Sequence, residues 1–89
     1  MTKQYYKRHF NETRIEQSTN WGTCDYYFET NQDGVVIRQV EVYSNGITLK
    51  YSEQFIEDDY GFLADQPLDF FDFENFTITK NDFEIQWQK

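Results

Sequence analysis

The sequence predicts an α+β fold in which an antiparallel meander sheet of about four strands precedes a short C-terminal helix. Residues 35–43 (VVIRQVEVY) are rich in β-branched and aromatic side chains, and they lie between the turn dipeptides Asp33-Gly34 and Asn45-Gly46. These dipeptides readily adopt the positive φ that tight hairpin turns require. Residues 24–30 and 47–51 are short and apolar, so we expect both to pair with the central strand.

The chain before the central strand predicts one further strand and a loop. Residues 4–10 are assigned to a first strand, because tyrosine, histidine and phenylalanine suit a pleated surface. Residues 11–23 are polar and show no periodicity, which predicts a loop. Alternation in the next strand predicts an inward set and an outward set, namely Cys24, Tyr26 and Phe28 inward, and Asp25, Tyr27 and Glu29 outward.

The central strand contains one charged residue among its apolar ones. Strict alternation places Val36, Arg38, Val40 and Val42 on the same face. One interpretation is that Arg38 extends its aliphatic stem over the core and pairs with a carboxylate. The alternative is that Arg38 lines a pocket and binds an anion, which would make it a ligand-binding residue.

After the sheet, aromatic residues alternate with acids and a helix ends the chain. The stretch from residue 51 to 76 should fold back over the sheet with its acids outward, and residues 68–73 should include a helical turn. Thr79 and Asp82 resemble a capping box. The helix that follows, residues 80–88, carries Phe83 and Trp87 four positions apart, on one face.

Length and composition predict a single domain, residues 1–89, that is globular and cytoplasmic. Hydrophobic residues are only 38% of the chain, but aromatic residues are 20%, and each ring can bury roughly 150–250 Å². The single cysteine cannot form an intramolecular disulfide, and no signal peptide or membrane-spanning segment is recognisable. Phosphate-loop, zinc-site, EF-hand and serine-nucleophile motifs are absent, so we expect no enzyme activity, cofactor or metal.

The net charge of −8 comes entirely from the C-terminal part of the chain. Residues 1–50 hold six basic and six acidic residues, whereas residues 51–89 hold two basic and ten acidic ones. No base lies between Glu53 and Glu74. Such a field repels nucleic acid and attracts basic surfaces. The sequence therefore predicts a basic protein partner, with contacts at Glu57, Asp58, Asp59, Tyr60, Asp65, Asp69 and Asp72.

Several short motifs together resemble a group of small, acidic, stand-alone bacterial proteins. The motifs are Tyr5-Tyr6, Trp21-Gly22-Thr23, Tyr27-Phe28-Glu29, residues 38–43, Asn45-Gly46, Leu49-Lys50-Tyr51 and Asp59-Tyr60-Gly61. They include no catalytic residue. The resemblance implies an immunity-type protein that acts beside a secreted bacterial toxin.

The leading hypothesis is a non-enzymatic binding protein of immunity or inhibitor type, which masks a basic surface on a toxin or nuclease. Long-range attraction would raise the association rate, and aromatic anchors would supply most of the affinity. One alternative is a DNA mimic, whose spaced carboxylates imitate a phosphate backbone and inhibit a nuclease. Another is a small-ligand-binding domain that uses Arg38, His9 and the tyrosines.

Overall fold

The computed structural model describes residues 2–89 and contains one four-stranded antiparallel sheet. The strands are β1 (Gln4–Glu16), β2 (Thr19–Thr30), β3 (Val36–Tyr43) and β4 (Thr48–Ser52), and they lie in the order β1-β2-β3-β4. Helices α1 (Phe70–Phe73) and α2 (Lys80–Trp87) follow, with a 3-10 turn (Glu74–Phe76) after α1. The predicted α+β class, meander and C-terminal helix are confirmed.

The hairpin of β1 and β2 is much longer than predicted. The loop expected over residues 11–23 is wrong, because both strands continue to a turn at Gln17 and Ser18. These two residues have φ values of 49° and 68°, which non-glycine residues seldom adopt. Ile15, near the tip, is exposed. The outer half of the hairpin was not predicted because its sequence contains neither a typical turn dipeptide nor an alternating apolar pattern.

The two glycine turns around β3 form as predicted, but the register after the first one is not regular. Gly34 and Gly46 have φ values of +84° and +98°. Glu29 pairs with Arg38, whereas Thr30 pairs with Val36, so Ile37 forms a bulge. A bulge of one residue reverses the face of the residues beyond it. Val36 consequently lies opposite the face that holds Arg38 and Val40, contrary to the strict alternation expected.

Both faces of the sheet are covered. On the helix-covered face, Phe83 of α2 packs against Tyr27 and Val40. On the segment-covered face, residues 63–73 pack against a buried cluster made of Tyr6, Phe28 and Val36. The expectation that one set of β2 side chains would face solvent is therefore wrong, since Tyr27 and Glu29 are buried beneath α2.

Short polar interactions fix the ends of both helices. Asp69 caps α1 by accepting a hydrogen bond from the amide of Phe71 at 2.8 Å. Thr79 and Asp82 form the predicted capping box at the start of α2. The rings of Phe83 and Trp87 are stacked 6.3 Å apart, and both belong to the cluster around Tyr27 and Val40 of the sheet. The prediction that they share one face of α2 is confirmed. In the range 2–89, no helix combines the length and the hydrophobicity needed to cross a membrane.

Candidate functional site

The acidic–aromatic segment, residues 53–76, presents all of its carboxylates to solvent. Within residues 2–89, none of these acids forms an ion pair with a lysine, arginine or histidine. The negative charge of this segment is therefore not neutralised by the protein itself. The eight exposed acids are Glu53, Glu57, Asp58, Asp59, Asp65, Asp69, Asp72 and Glu74.

The same segment also exposes several large apolar side chains. Phe71 is 86% exposed, and Phe62 is 58% exposed. Only Leu63, Leu68 and Phe73, together with Ala64, pack against the buried cluster on the sheet. The alternation of acids and aromatic residues in the sequence predicts this surface, but it does not predict which aromatic side chains are exposed. The exposed apolar members are Phe55, Ile56, Tyr60, Phe62, Phe70, Phe71 and Phe76.

Asp58, one of the predicted contact residues, has a structural role. Its Oδ1 accepts hydrogen bonds from Tyr51 Oη at 2.8 Å, from the Tyr60 amide at 2.8 Å and from the Gly61 amide at 3.0 Å. Partial burial opposes ionisation of Asp58, but these hydrogen bonds outweigh it and lower the pKa of the carboxyl. Replacing Asp58 would therefore disturb the turn as well as the surface charge.

The other six predicted contact residues form two groups: two have a structural role, as Asp58 does, and four do not. Asp69 is the cap of α1, and Tyr60 has its ring 5.3 Å from Trp21 and its carbonyl bonded to Arg14. The remaining four are exposed, and their side chains form no hydrogen bond with residues 2–89. This free set consists of Glu57, Asp59, Asp65 and Asp72.

Arg38 lies on the helix-covered face, where its guanidinium is paired with two carboxylates of the protein. Its Nε and Nη2 donate to Glu29 at 2.5 and 3.0 Å, and its Nη1 and Nη2 donate to Glu84 at 2.8 and 3.0 Å. Its guanidinium carbon also lies 4.9 Å from the ring centre of Phe83 and 5.1 Å from that of Trp87. The small-ligand alternative required Arg38 at the floor of an open cavity. The observed pairing removes the support for that alternative.

Glu29 is the buried member of this ion-pair cluster, with only 2% of its side chain exposed. Burial would raise the pKa of Glu29, but hydrogen bonds from Arg38 and Tyr5 and the charge of Arg38 outweigh it and lower the pKa. The hydrogen bonds and charge of Arg38 likewise lower the pKa of Glu84. Both carboxylates are thus held ionised, and they fix α2 to the sheet.

A second polar cluster, which was not predicted from the sequence, is buried on the segment-covered face. Glu41 accepts hydrogen bonds from Tyr43 Oη at 2.6 Å and from Gln39 Nε2 at 2.8 Å. Gln39 also accepts from the amide of Ala64 at 2.9 Å. Arg14 donates to Tyr43 Oη at 2.8 Å. This cluster ties the acidic–aromatic segment to the centre of the sheet.

Cys24 and His9, the cysteine and the histidine of the chain, lie on opposite faces of the sheet. Cys24 is buried on the segment-covered face, as predicted, and burial and the charge of Glu41 raise its pKa to about 12. His9 faces the other side of the sheet, where Nδ1 lies 2.7 Å from Oδ1 of Asp25. No group of three histidine, cysteine, aspartate or glutamate side chains in the described part of the chain is arranged to hold a metal ion.

Together, the fold and the surface define a small α+β protein with a two-sided antiparallel sheet and an acidic, aromatic covering segment. No protein-family model matches the chain, and no curated protein or solved structure matches it significantly. The resemblance to immunity-type proteins therefore stays a prediction.

Proposed function

We propose that this protein binds and masks a basic surface of another protein, in the manner of an inhibitor or immunity protein, through residues 53–76. The observation that carries the proposal is the combination of eight exposed, unpaired acids with seven exposed apolar residues in one segment.

The carboxylates of this segment are available to a partner because no arginine in the range 2–89 pairs with them, although Arg8 and Arg14 bind backbone carbonyls of the segment. Arg14 and Arg38 are paired with carboxylates of the sheet and of α2. Arg8 donates to the backbone carbonyl of Asp72 and lies over the ring of Phe76. An unneutralised acidic surface accelerates association with a basic partner, and this acceleration falls as salt screens the field.

The exposed rings argue against a surface that serves only solubility. Charged side chains alone would keep the protein in solution, whereas exposed phenylalanines favour association. Aromatic anchors surrounded by polar residues are typical of the energetic centre of a protein interface. Phe71 is the leading candidate anchor because it has the greatest exposure of the large apolar residues.

The test is affinity capture from a lysate of the source organism, at low and at moderate salt. The bait proteins are the wild type, an Asp59→Asn/Asp72→Asn variant and a Phe71→Ser variant. We expect one basic protein to be retained at low salt, to be weakened at moderate salt and to be lost with both variants.

A Glu12→Gln/Asp33→Asn variant is the matched control, because it removes the same charge from exposed positions outside the segment. Equal retention by this control and by the wild type is expected. Equal loss with both double variants would mean that only net charge matters, and it would refute a defined binding surface. Displacement of the retained protein by duplex DNA would instead indicate mimicry of a phosphate backbone.

A further inference from the structure

A cavity of about 270 Å³ lies between the sheet and the acidic–aromatic segment. The residues that line it from the sheet are Arg14, Tyr26, Phe28, Gln39 and Glu41, and those that line it from the segment are Gly61, Phe62 and Ala64. Because Phe62 also belongs to the exposed apolar set, the rim of the cavity is part of the proposed binding surface. Pockets for drug-sized ligands hold roughly 300–1,000 Å³, so this cavity suits a single side chain.

The carboxylate of Glu41 supplies a buried negative charge to this cavity. Only 5% of the Glu41 side chain is exposed. Its two oxygens accept one hydrogen bond each, from Tyr43 and from Gln39. An ionised carboxylate offers about four acceptor sites. Glu41 can therefore accept further hydrogen bonds from a cationic group.

The nearest cation does not fully compensate for this charge. Arg14 Nη1 lies 3.8 Å from Glu41 Oε1, beyond hydrogen-bond distance, whereas Arg14 Nη2 lies 2.6 Å from Glu16. Arg14 also donates to Tyr43 and to the carbonyl of Tyr60. One guanidinium is thus shared by Glu16 and Glu41, so these three side chains together keep a net charge of −1, and Arg14 is bound more closely to Glu16, which lies outside the cavity lining, than to Glu41.

The walls of the cavity also favour a cation with an aliphatic stem. The rings of Tyr26 and Phe28 have centres 5.7 Å apart, and aromatic faces attract cations and cover apolar chains. Burial and the charge of Glu41 raise the pKa of Tyr26 to about 12. Tyr26 is therefore a neutral phenol near pH 7 and adds no competing charge.

We infer that this cavity receives the ammonium group of a lysine side chain from the basic partner, with Glu41 as its counter-charge. The inference rests on the proposed function, which places a basic surface over the rim at Phe62. The lysine ammonium donates hydrogen bonds in three directions, and its four-carbon stem suits the apolar walls.

The inference can be tested on the isolated protein with Nα-acetyl-lysine N-methylamide. The matched probe is Nα-acetyl-norleucine N-methylamide, which has an aliphatic side chain but no charge. Binding is followed by the NMR shifts of the amides of Gly61 and Ala64. We expect saturable binding of the lysine compound at about millimolar concentration and no saturation with the norleucine compound. Equal binding of the two compounds would overturn the inference.

Two variants connect this binding to Glu41. Glu41→Gln should weaken the lysine compound by about tenfold or more. Glu12→Gln makes the same change at an exposed acid that lies outside both the cavity and residues 53–76, and it should leave binding unchanged. If Glu41→Gln does not fold, Tyr26→Leu keeps the carboxylate, removes an aromatic wall and should weaken binding severalfold. Unchanged binding by Glu41→Gln, or by Tyr26→Leu where that variant replaces it, would overturn the inference.

This experiment separates the inference from the proposed function. Capture of a basic partner through Phe71 and the free acids, without binding of the lysine compound, would overturn the lysine site and leave the proposed function standing. Selective binding of the lysine compound that depends on Glu41 would support the site, whatever the affinity capture yields.

Discussion

Replacing Arg38 with methionine should destabilise the protein strongly, because it leaves Glu29 buried without its main cation. The guanidinium makes two hydrogen bonds to Glu29, whose side chain is 2% exposed. After the change, the nearest remaining cation is Lys3 Nζ, 4.0 Å from Glu29 and half exposed. Removing one partner of a buried ion pair costs about 3–5 kcal/mol. A domain of this size has a free energy of unfolding of only about 4–13 kcal/mol.

Two companion variants determine whether the buried charge causes this loss. Glu84 is 25% exposed on its side chain, so Glu84→Gln should cost about 1 kcal/mol or less. An Arg38→Met/Glu29→Met double variant removes both buried charges, and it should recover most of the stability that Arg38→Met loses. Urea unfolding at pH 7, followed by tryptophan fluorescence, measures all three differences.

The pH dependence gives a second test with a defined sign. In the wild type, Arg38 lowers the pKa of Glu29 and of Glu84. Their stabilisation is therefore present above the unfolded pKa, near 4.3, and it is lost as pH falls through the folded values. In Arg38→Met, burial dominates and raises the folded pKa of Glu29, so the deficit should shrink between pH 7 and pH 4.5. A deficit below about 1 kcal/mol at pH 7, or one unchanged at pH 4.5, would refute this reasoning.

Two further predictions concern the turn and the thiol on the segment-covered face. Gly34→Ala should destabilise the protein by about 1–3 kcal/mol, because φ is +84° and the new Cβ would lie 2.9 Å from the carbonyl oxygen of Leu68. Gly46→Ala, at φ +98° with nothing within 4 Å, should cost less in the same urea titration, and an equal cost would show that the contact with Leu68 is unimportant. Cys24 should react slowly with a thiol reagent at pH 8, because its pKa is raised to about 12, and it should react rapidly in urea. Fast labelling of the folded protein would contradict its burial.

Local sequence signals were sufficient for the order of β2, β3 and β4 and for the C-terminal helix. Asp33-Gly34 and Asn45-Gly46 form two tight turns, one at each end of β3. Because a tight turn brings consecutive strands side by side, β2 and β4 pair with β3 as a meander. Thr79 and Asp82 mark the start of α2 because each side chain accepts a hydrogen bond from the backbone amide of the other residue, within four residues of sequence. In each case, one short stretch of chain contains the whole interaction that determines the structure.

Two of the errors in the fold have non-local causes, and one comes from an unusual local backbone conformation. Tyr27 and Glu29 were predicted to face solvent because the sequence of β2 does not indicate that α2 covers them. The turn at Gln17 and Ser18 depends on two positive φ values that the residue types do not favour. Val36 changes face because of a bulge, and its pairing with Thr30 is visible only in the sheet.

For the candidate site, the sequence located the segment but not the role of each residue in it. Asp58 and Asp69 look like the other acids in the sequence, but in the structure each accepts backbone hydrogen bonds and fixes a turn or a helix end. Phe71 and Phe73 are two residues apart, but Phe71 is exposed whereas Phe73 packs against the core. Only the direction of α1 relative to the sheet separates these roles.

The fold explains why the charge imbalance of the sequence persists on the surface. Arg14 and Arg38 pair with acids of the sheet and of α2, so these two cations do not pair with the carboxylates of residues 53–76. The segment itself is held by hydrogen bonds to its backbone, including those of Gln39 with Ala64, of Gly34 with Leu68 and of Arg14 with Tyr60. Its carboxylates are therefore not required for its position, apart from Asp58 and Asp69. A partner could neutralise the other six without disturbing the fold, which is the condition that a charged binding surface must satisfy.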